Sequence, residues 1–348
     1  MKRVKPKKKK NINKLFILFI ILDLLAIGGF VMMYGPWDYV RNLYVTTAMK
    51  TRNHKYFANI FYSDKMIEKI MSNNYFVEIN QDSDSDEIVI DTSEKTTYKD
   101  EYEKELLTRD PGNDDYKILD VKVGNAKGYL IAIYKPEKVK LLRTKQFNAG
   151  TYGERVVDMC QRYGGKVCIN GGGFANGLSN GSDIPLGYVI DEGEVAWTPN
   201  NNSASTGNII GITDEGKLKL MNGVTGEQAV EAGIKYGIEF GPFLIVNGKS
   251  LEIVGLPYGV ANKCAIAQRK DGVFMFLVTE GESYIDGASL KDVLETLEKY
   301  GAYNAANLDG GASTSLVVEG KLHNTPRSGY GKILPQGRGV VTAFALTK

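Results

Sequence analysis

Apolar residues along the chain follow three different spacings in turn. Residues 15–34 form an almost unbroken apolar stretch, long enough to cross a bilayer as a helix. Residues 37–74 place Tyr39, Leu43, Tyr56, Phe57, Ile60, Phe61, Met66, Ile67 and Ile70 mainly three and four apart, which predicts a stalk of short helices. Residues 81–115 lose the pattern. They are acidic, rich in Ser and Thr, poor in large apolar side chains and carry Pro111-Gly112 near the end, so a linker or loosely packed loop is expected there.

Beyond residue 116 the apolar runs become short, β-branched and regularly broken. Glu192-Gly193, Glu215-Gly216 and Asp271-Gly272 each separate two such runs, and Asn247-Gly248 and Glu319-Gly320 each follow one. Asn/Asp-Gly pairs supply the positive φ of two-residue turns, so five signals of this kind specify antiparallel hairpins. Two helices should interrupt them. Residues 154–163 put Val156, Val157, Cys160 and Tyr163 on one face, and residues 289–300 do the same with Leu290, Val293, Leu294, Leu297 and Tyr300. Ser289 and Asp292 form a capping box on the second, and Gly301 stops it. The expected class is α+β: a strand-rich antiparallel or mixed sheet domain with a few packed helices, plus one N-terminal transmembrane helix and a helical stalk. The boundaries are a basic tail at 1–14, an anchor at 15–35, a stalk at 36–80, a linker at 81–115 and the main domain at 116–348.

Charge orients this plan. Lys2, Arg3, Lys5 and the lysines 7–10 precede the apolar run, and basic residues before a span stay on the cytoplasmic side. No small-x-small cleavage site follows the apolar core, which favours an uncleaved anchor in the cell membrane with the rest of the chain extracellular. Asp23 within the span reads either as a tolerated, snorkelling carboxylate or as a contact to a partner helix. The net charge of +2 conceals a mildly acidic exported part once the tail is set aside, which argues against a nucleic-acid partner. Three cysteines are too few for a disulfide scaffold. Cys160 and Cys168 could pair, or all three could be buried thiols.

Common catalytic machineries are missing. Two histidines, His54 and His323, leave no histidine-rich zinc site, and His323 alone reads more readily as a surface residue than as a base. No G-x-S-x-G occurs, and Gly171-Gly172-Gly173 lacks the Lys-Ser/Thr of a phosphate loop. Carboxylates, amides and cations remain. Two segments stand out because each ends an apolar strand on a polar residue and a glycine run: 167–174, with Asn170-Gly171-Gly172-Gly173-Phe174, and 305–314, with Asp309-Gly310-Gly311-Ala312-Ser313-Thr314. Such glycines can gather N–H groups into an anion-binding nest beside the carboxylate, or make tight turns in which Asn and Asp cap their own backbone. A calcium site built from Asp183, Asp309 and backbone carbonyls is a further option, since hard cations take these oxygens.

Read in order, Asn170-Gly171-Gly172-Gly173-Phe174, Pro185-Leu186-Gly187, Gly241-Pro242-Phe243-Leu244, Asn247-Gly248, Gly287-Ala288-Ser289-Leu290, Leu308-Asp309-Gly310-Gly311-Ala312-Ser313-Thr314, Asn324 and Arg338 resemble the phosphodiester glycosidase family. The resemblance runs over about 121–346, and the stalk resembles that of membrane-anchored Gram-positive members related to exopolysaccharide. It implies release of a sugar, of the N-acetylglucosamine-1-phosphodiester kind, from a cell-wall or exopolysaccharide polymer. A phosphate monoester leaves with little protonation, so such a site needs a carboxylate to attack or to activate water, and cations or N–H groups to hold phosphate. Asp309 is the expected carboxylate and Glu239 a second acid or base. Asn170 and Asn324 are expected on the sugar, Arg338, Lys263, Gly171, Gly172, Gly310 and Gly311 around the phosphate, and Ser313 and Thr314 among the substrate-binding residues. This chain departs from the family where Asn262-Lys263-Cys264 replaces the usual Pro-Arg-Thr and Glu280-Gly281-Glu282 an Asp-Gly-Arg; Lys lacks the bidentate grip of Arg. The rival reading is a surface glycan-binding or exopolysaccharide assembly protein that holds a polymer without cutting it.

Overall fold

The computed structural model describes residues 14–50, 55–175, 181–199, 202–281, 286–327 and 331–348. The basic tail before Lys14, His54 and Glu282 lie outside the described residues. The helices are α1 (Lys14–Tyr34), α2 (Asp38–Lys50), α3 (Lys55–Phe61), α4 (Asp64–Ser72), α5 (Glu101–Leu107), α6 (Val156–Arg162), α7 (Gly226–Glu231) and α8 (Leu290–Lys299). No residue of α1 is buried, and it is long and apolar enough to span a membrane.

Three antiparallel sheets make the body, as the alternating pattern and turn pairs required. The largest has seven strands in the spatial order Lys249–Ser250, Phe243–Val246, Ala302–Leu308, Cys264–Arg269, Phe274–Glu280, Ala126–Ile133 and Tyr116–Val123. Both its faces are covered, which is why its strands are apolar at nearly every position. Ile131, Ile133, Ile266, Phe274 and Phe276 point into a core shared with the two five-stranded sheets. Their neighbours Leu130, Ala132, Ala265, Met275 and Leu277 point the other way, against α8 and α5. One five-stranded sheet is centred on Gly165–Asn170, between Leu316–Val318 and Thr342–Thr347; the other carries Ile234–Glu239 at its centre.

All five turn pairs join paired strands. Positive φ at both residues of Glu192-Gly193, Asn247-Gly248 and Glu319-Gly320 gives these turns the twist that matches their strands. The capping box of α8 forms as expected, Ser289 Oγ accepting from Asp292 N and Ser289 N donating to Asp292. Replacing Ser289 by Ala should lower unfolding stability by about 1 kcal/mol, seen as a smaller denaturant midpoint at unchanged slope. Helix α6 begins two residues later than expected, because Glu154-Arg155 pairs with Gly339-Val340 as a short strand. A disulfide joins Cys160 on α6 to Cys168 on the adjacent strand, and Cys264 is buried and free.

The acidic segment 81–115 departs from the loose linker expected of it. Ser83 exchanges both hydrogen bonds with Leu220, Asn247 reaches Asp82 and Asp84, and the amides of Val89 and Asp91 donate to Lys270 and Asp271. Ile88 is buried beneath this strap. Further on, Asp100 caps α5, which buries Leu106 and Leu107, and Arg269 binds Glu103, Asp271 and the Tyr300 carbonyl. Short polar side chains that hydrogen-bond backbone groups keep such a segment ordered without a large apolar face. The stalk is fastened in the same way. Tyr75–Val77 pairs with Glu252–Val254, Asn74 Oδ1 accepts from Leu256 N at 2.7 Å, and Thr47 Oγ1 accepts from Val260 N.

Candidate functional site

Strands from the three sheets stop at one junction. Gly165–Asn170 runs out into Gly171-Gly172-Gly173, Ala302–Leu308 into Asp309-Gly310-Gly311, and Ile234–Glu239 ends on Glu239. Asp309 N donates to Gly171 O at 3.0 Å, and Asn170 Nδ2 donates to Asp309 O at 2.6 Å. Gly172 lies against Ile238 and the main chain of Glu239. The two strand-end motifs are therefore neighbours, from positions up to 139 residues apart, with the main chain of Glu239 against Gly172.

The side chains divide into those that hold this junction together and those left to act. Asn170 is buried, with Oδ1 accepting from Ser315 N at 3.0 Å. Asn324 accepts from Leu316 N at 2.7 Å and donates to Thr314 O at 3.0 Å. Both asparagines, expected on the sugar, thus brace the 309–316 turn. An amide carries a donor and an acceptor side by side and matches a peptide edge in this way.

The glycine nests also need correction. Gly171 N donates to Thr342 O, Gly172 N to Thr342 Oγ1, and Gly311 N to Asn262 O. Ser313 N and Thr314 N turn back to Gly310 O and Gly311 O. Those N–H groups are committed within the protein, because buried donors must find acceptors. The amides of Gly173 and Gly310 donate to no described residue. Gly310 is required by contact: a Cβ there would stand 2.7 Å from Asn262 O. Thr342 and Asn262 are the two supports that sequence reasoning missed, and Asn262 also accepts from Gly281 N at 2.7 Å. Their one signal was polarity beside or within an apolar strand.

Glu239 is half-buried, its carboxylate accepting from Tyr188 N at 3.1 Å. It lies over Gly187 and Gly207, where a Cβ would collide with its side chain. Lys263 immediately precedes the strand Cys264–Arg269, beside Gly310, and is only 7% exposed. Burial pushes its ammonium down to about 8 against the pull of Asp292. Cys264 next to it is pushed up by burial and then by the Asp309 carboxylate, and its thiol faces Asn170 O. Arg338 stacks its guanidinium 4.8 Å from the Phe174 ring, at the far end of the glycine run. Ser313 is buried, and the buried Thr314 hydroxyl has no hydrogen-bond partner among the described residues.

The calcium option finds no support in the side chains. Among the described residues no three His, Cys, Asp or Glu converge. Asp183 Oδ2 instead takes the amides of Ala149 and Thr151 and the Thr151 hydroxyl, whose hydrogen bonds hold its carboxyl below the usual range against the opposing effect of burial. His323 is exposed, edge-on to Tyr129.

The family described as phosphodiester glycosidase matches residues 163–347, which hold both strand-end motifs. The SPbeta prophage-derived uncharacterized protein YomE of Bacillus subtilis strain 168 is 27% identical over 194 residues, covering 53% of this chain. The match spans only 29% of that protein's length. Among solved structures, the zebrafish N-acetylglucosamine-1-phosphodiester alpha-N-acetylglucosaminidase catalytic domain, auto-inhibited by its pro-peptide, superposes with a TM-score of 0.54 at 18% identity. That overlap covers 67% of this chain and 82% of the zebrafish one and shows a shared fold.

Proposed function

The chain belongs to the phosphodiester glycosidase family, and from that footing we propose that it is a membrane-anchored extracellular hydrolase that releases a sugar from a sugar-1-phosphodiester in a surface polymer. The observation that carries the reading is the meeting of Asp309 with the Asn170–Gly173 strand end at the three-sheet junction. The apolar α1 and the Cys160–Cys168 disulfide support a domain outside the cytoplasm, since disulfides persist in oxidising compartments.

In this mechanism Asp309 attacks the anomeric carbon or takes a proton from the attacking water, and Glu239 is the second acid or base. Lys263, Arg338 and the amides of Gly173 and Gly310 receive the departing phosphate, where negative charge develops. Asn170, Asn324, Asn262 and Thr342 act through position, holding the two turns in register. Ser313 and Thr314 line the turn that carries the carboxylate.

The test compares substrates. Full-length protein in detergent should release reducing sugar from a sugar phosphodiester far faster than from an alkyl glycoside of the same sugar, whose poor leaving group needs a strong acid. Arg338→Gln should slow the phosphodiester reaction about tenfold, the scale of one charge-assisted hydrogen bond, and an activated aryl glycoside much less. Equal losses on both substrates would move Arg338 from the phosphate to the fold. Efficient alkyl glycoside hydrolysis would point to an ordinary two-carboxylate glycosidase, and tight polymer binding with no release to the rival glycan-binding role.

A further inference from the structure

Helix α3 is apolar on more than the face it buries. Ala58 is fully buried and the next residue after the helix, Tyr62, nearly so. Yet Tyr56, Ile60 and Phe61 turn outward, 51%, 62% and 41% exposed. Trp37 and Tyr39, at the start of α2, are 51% and 63% exposed. A helix apolar around most of its circumference is ordinarily enclosed, and nothing among the described residues encloses this one.

Its position says what covers it. Tyr62 Oη donates to Met33 O at 2.8 Å, Tyr34 Oη donates to Phe61 O, and the Tyr34 and Tyr62 rings stand 5.7 Å apart. Arg41 Nη1 donates to Gly35 O at 2.9 Å, fixing α2 to the end of α1. The outward aromatics are thereby pinned to the last turn of a helix with no buried residue, at the level where a span would leave the hydrocarbon. Tyr and Trp concentrate at that level because an apolar ring and a polar tip suit the headgroup boundary.

We propose that α3 and the start of α2 lie in the outer headgroup region of the bilayer, so that the stalk is seated in lipid. The inference rests on the anchor reading of α1, and the experiment separates the two. The chain has two tryptophans, Trp37 and Trp197, which permits single-indole variants of the full-length protein. Ile60→Trp and, as control, Ile20→Trp would each be made with both natural indoles replaced by Phe. The proteins would be reconstituted into phosphatidylcholine vesicles containing a minority of phosphatidylglycerol, with bromines placed at shallow or deep acyl positions. The Ile60→Trp indole should lose most of its emission to shallow bromines and little to deep ones. The Ile20→Trp indole should respond to deep bromines, and Trp197 in a Trp37→Phe protein to neither. Quenching of Ile20→Trp without Ile60→Trp would overturn the seated stalk and leave the anchor standing. Failure of both would remove the anchor as well. An unquenched, blue-shifted Ile60→Trp that cross-links between molecules would assign the face to a second copy of the chain. Tyr56→Trp provides the same readings should Ile60→Trp misfold.

Discussion

Replacing Asp309 by Asn should lower turnover on a sugar phosphodiester by about a hundredfold or more, the scale of a lost general acid or base, while leaving the fold intact. Residue 309 holds the junction through its backbone, N–H to Gly171 and C=O to Asn170, and a substitution confined to the carboxyl leaves both bonds in place. Asn170→Asp should do the opposite, because it replaces the amide donor that reaches Asp309 O with an acceptor; there the thermal midpoint should fall together with activity. Measuring turnover and melting on both variants separates chemistry from support. Undiminished turnover in Asp309→Asn would remove that carboxylate from the mechanism.

Lys263→Met should produce a more stable and less active protein. Holding the ammonium at about 8, where its ordinary value is 10.5, costs the folded state about 3 kcal/mol at neutral pH. Methionine of similar length removes that cost. The pH dependence identifies the cause: between about 8 and 10.5 the unfolded chain binds the proton that the folded chain has released, so wild-type stability rises with pH across that window. The advantage of Lys263→Met is therefore largest below about 8 and disappears above 10.5. Activity on the phosphodiester should fall about a hundredfold, as for loss of a buried charged contact of ~3 kcal/mol, and wild-type activity should itself decline as pH passes about 8. Lys263→Arg, which stays charged, should carry its activity further into alkali. Denaturant melts and kcat/KM across pH read both effects. A variant no more stable than wild type at neutral pH would mean that the ammonium reaches water.

Turn pairs such as Asn247-Gly248 and the Ser289/Asp292 box were readable because their cause is local: the residues that set φ or cap a helix are the residues that turn or start it. The strand-end glycine runs announced a junction for the same reason. What joins them was hidden, since Thr342 meets Gly172 across 170 residues and nothing near either predicts the other. Composition misled at 81–115. Ser83, Asp82 and Asp91 are polar, yet each contributes a hydrogen bond to a hairpin of the main domain, and a low apolar content reports only how little such a segment buries, not how firmly it is held.

That fastening changes how the proposed hydrolase would meet a polymer substrate. A flexible linker over the 35 residues once expected between stalk and domain would let the site sweep about 30 Å from its base. Reach of that kind raises the effective concentration of anything attached nearby, at the cost of a broad range of heights. Here the Tyr75–Val77 pairing, Asn74 on Leu256 and Thr47 on Val260 leave no such freedom. On the proposed anchor reading, the Asp309 carboxylate would stand at one altitude above the membrane, like a blade on a fixed mount. Bonds carried past at that height would be within range, and a polymer substrate would have to supply the motion.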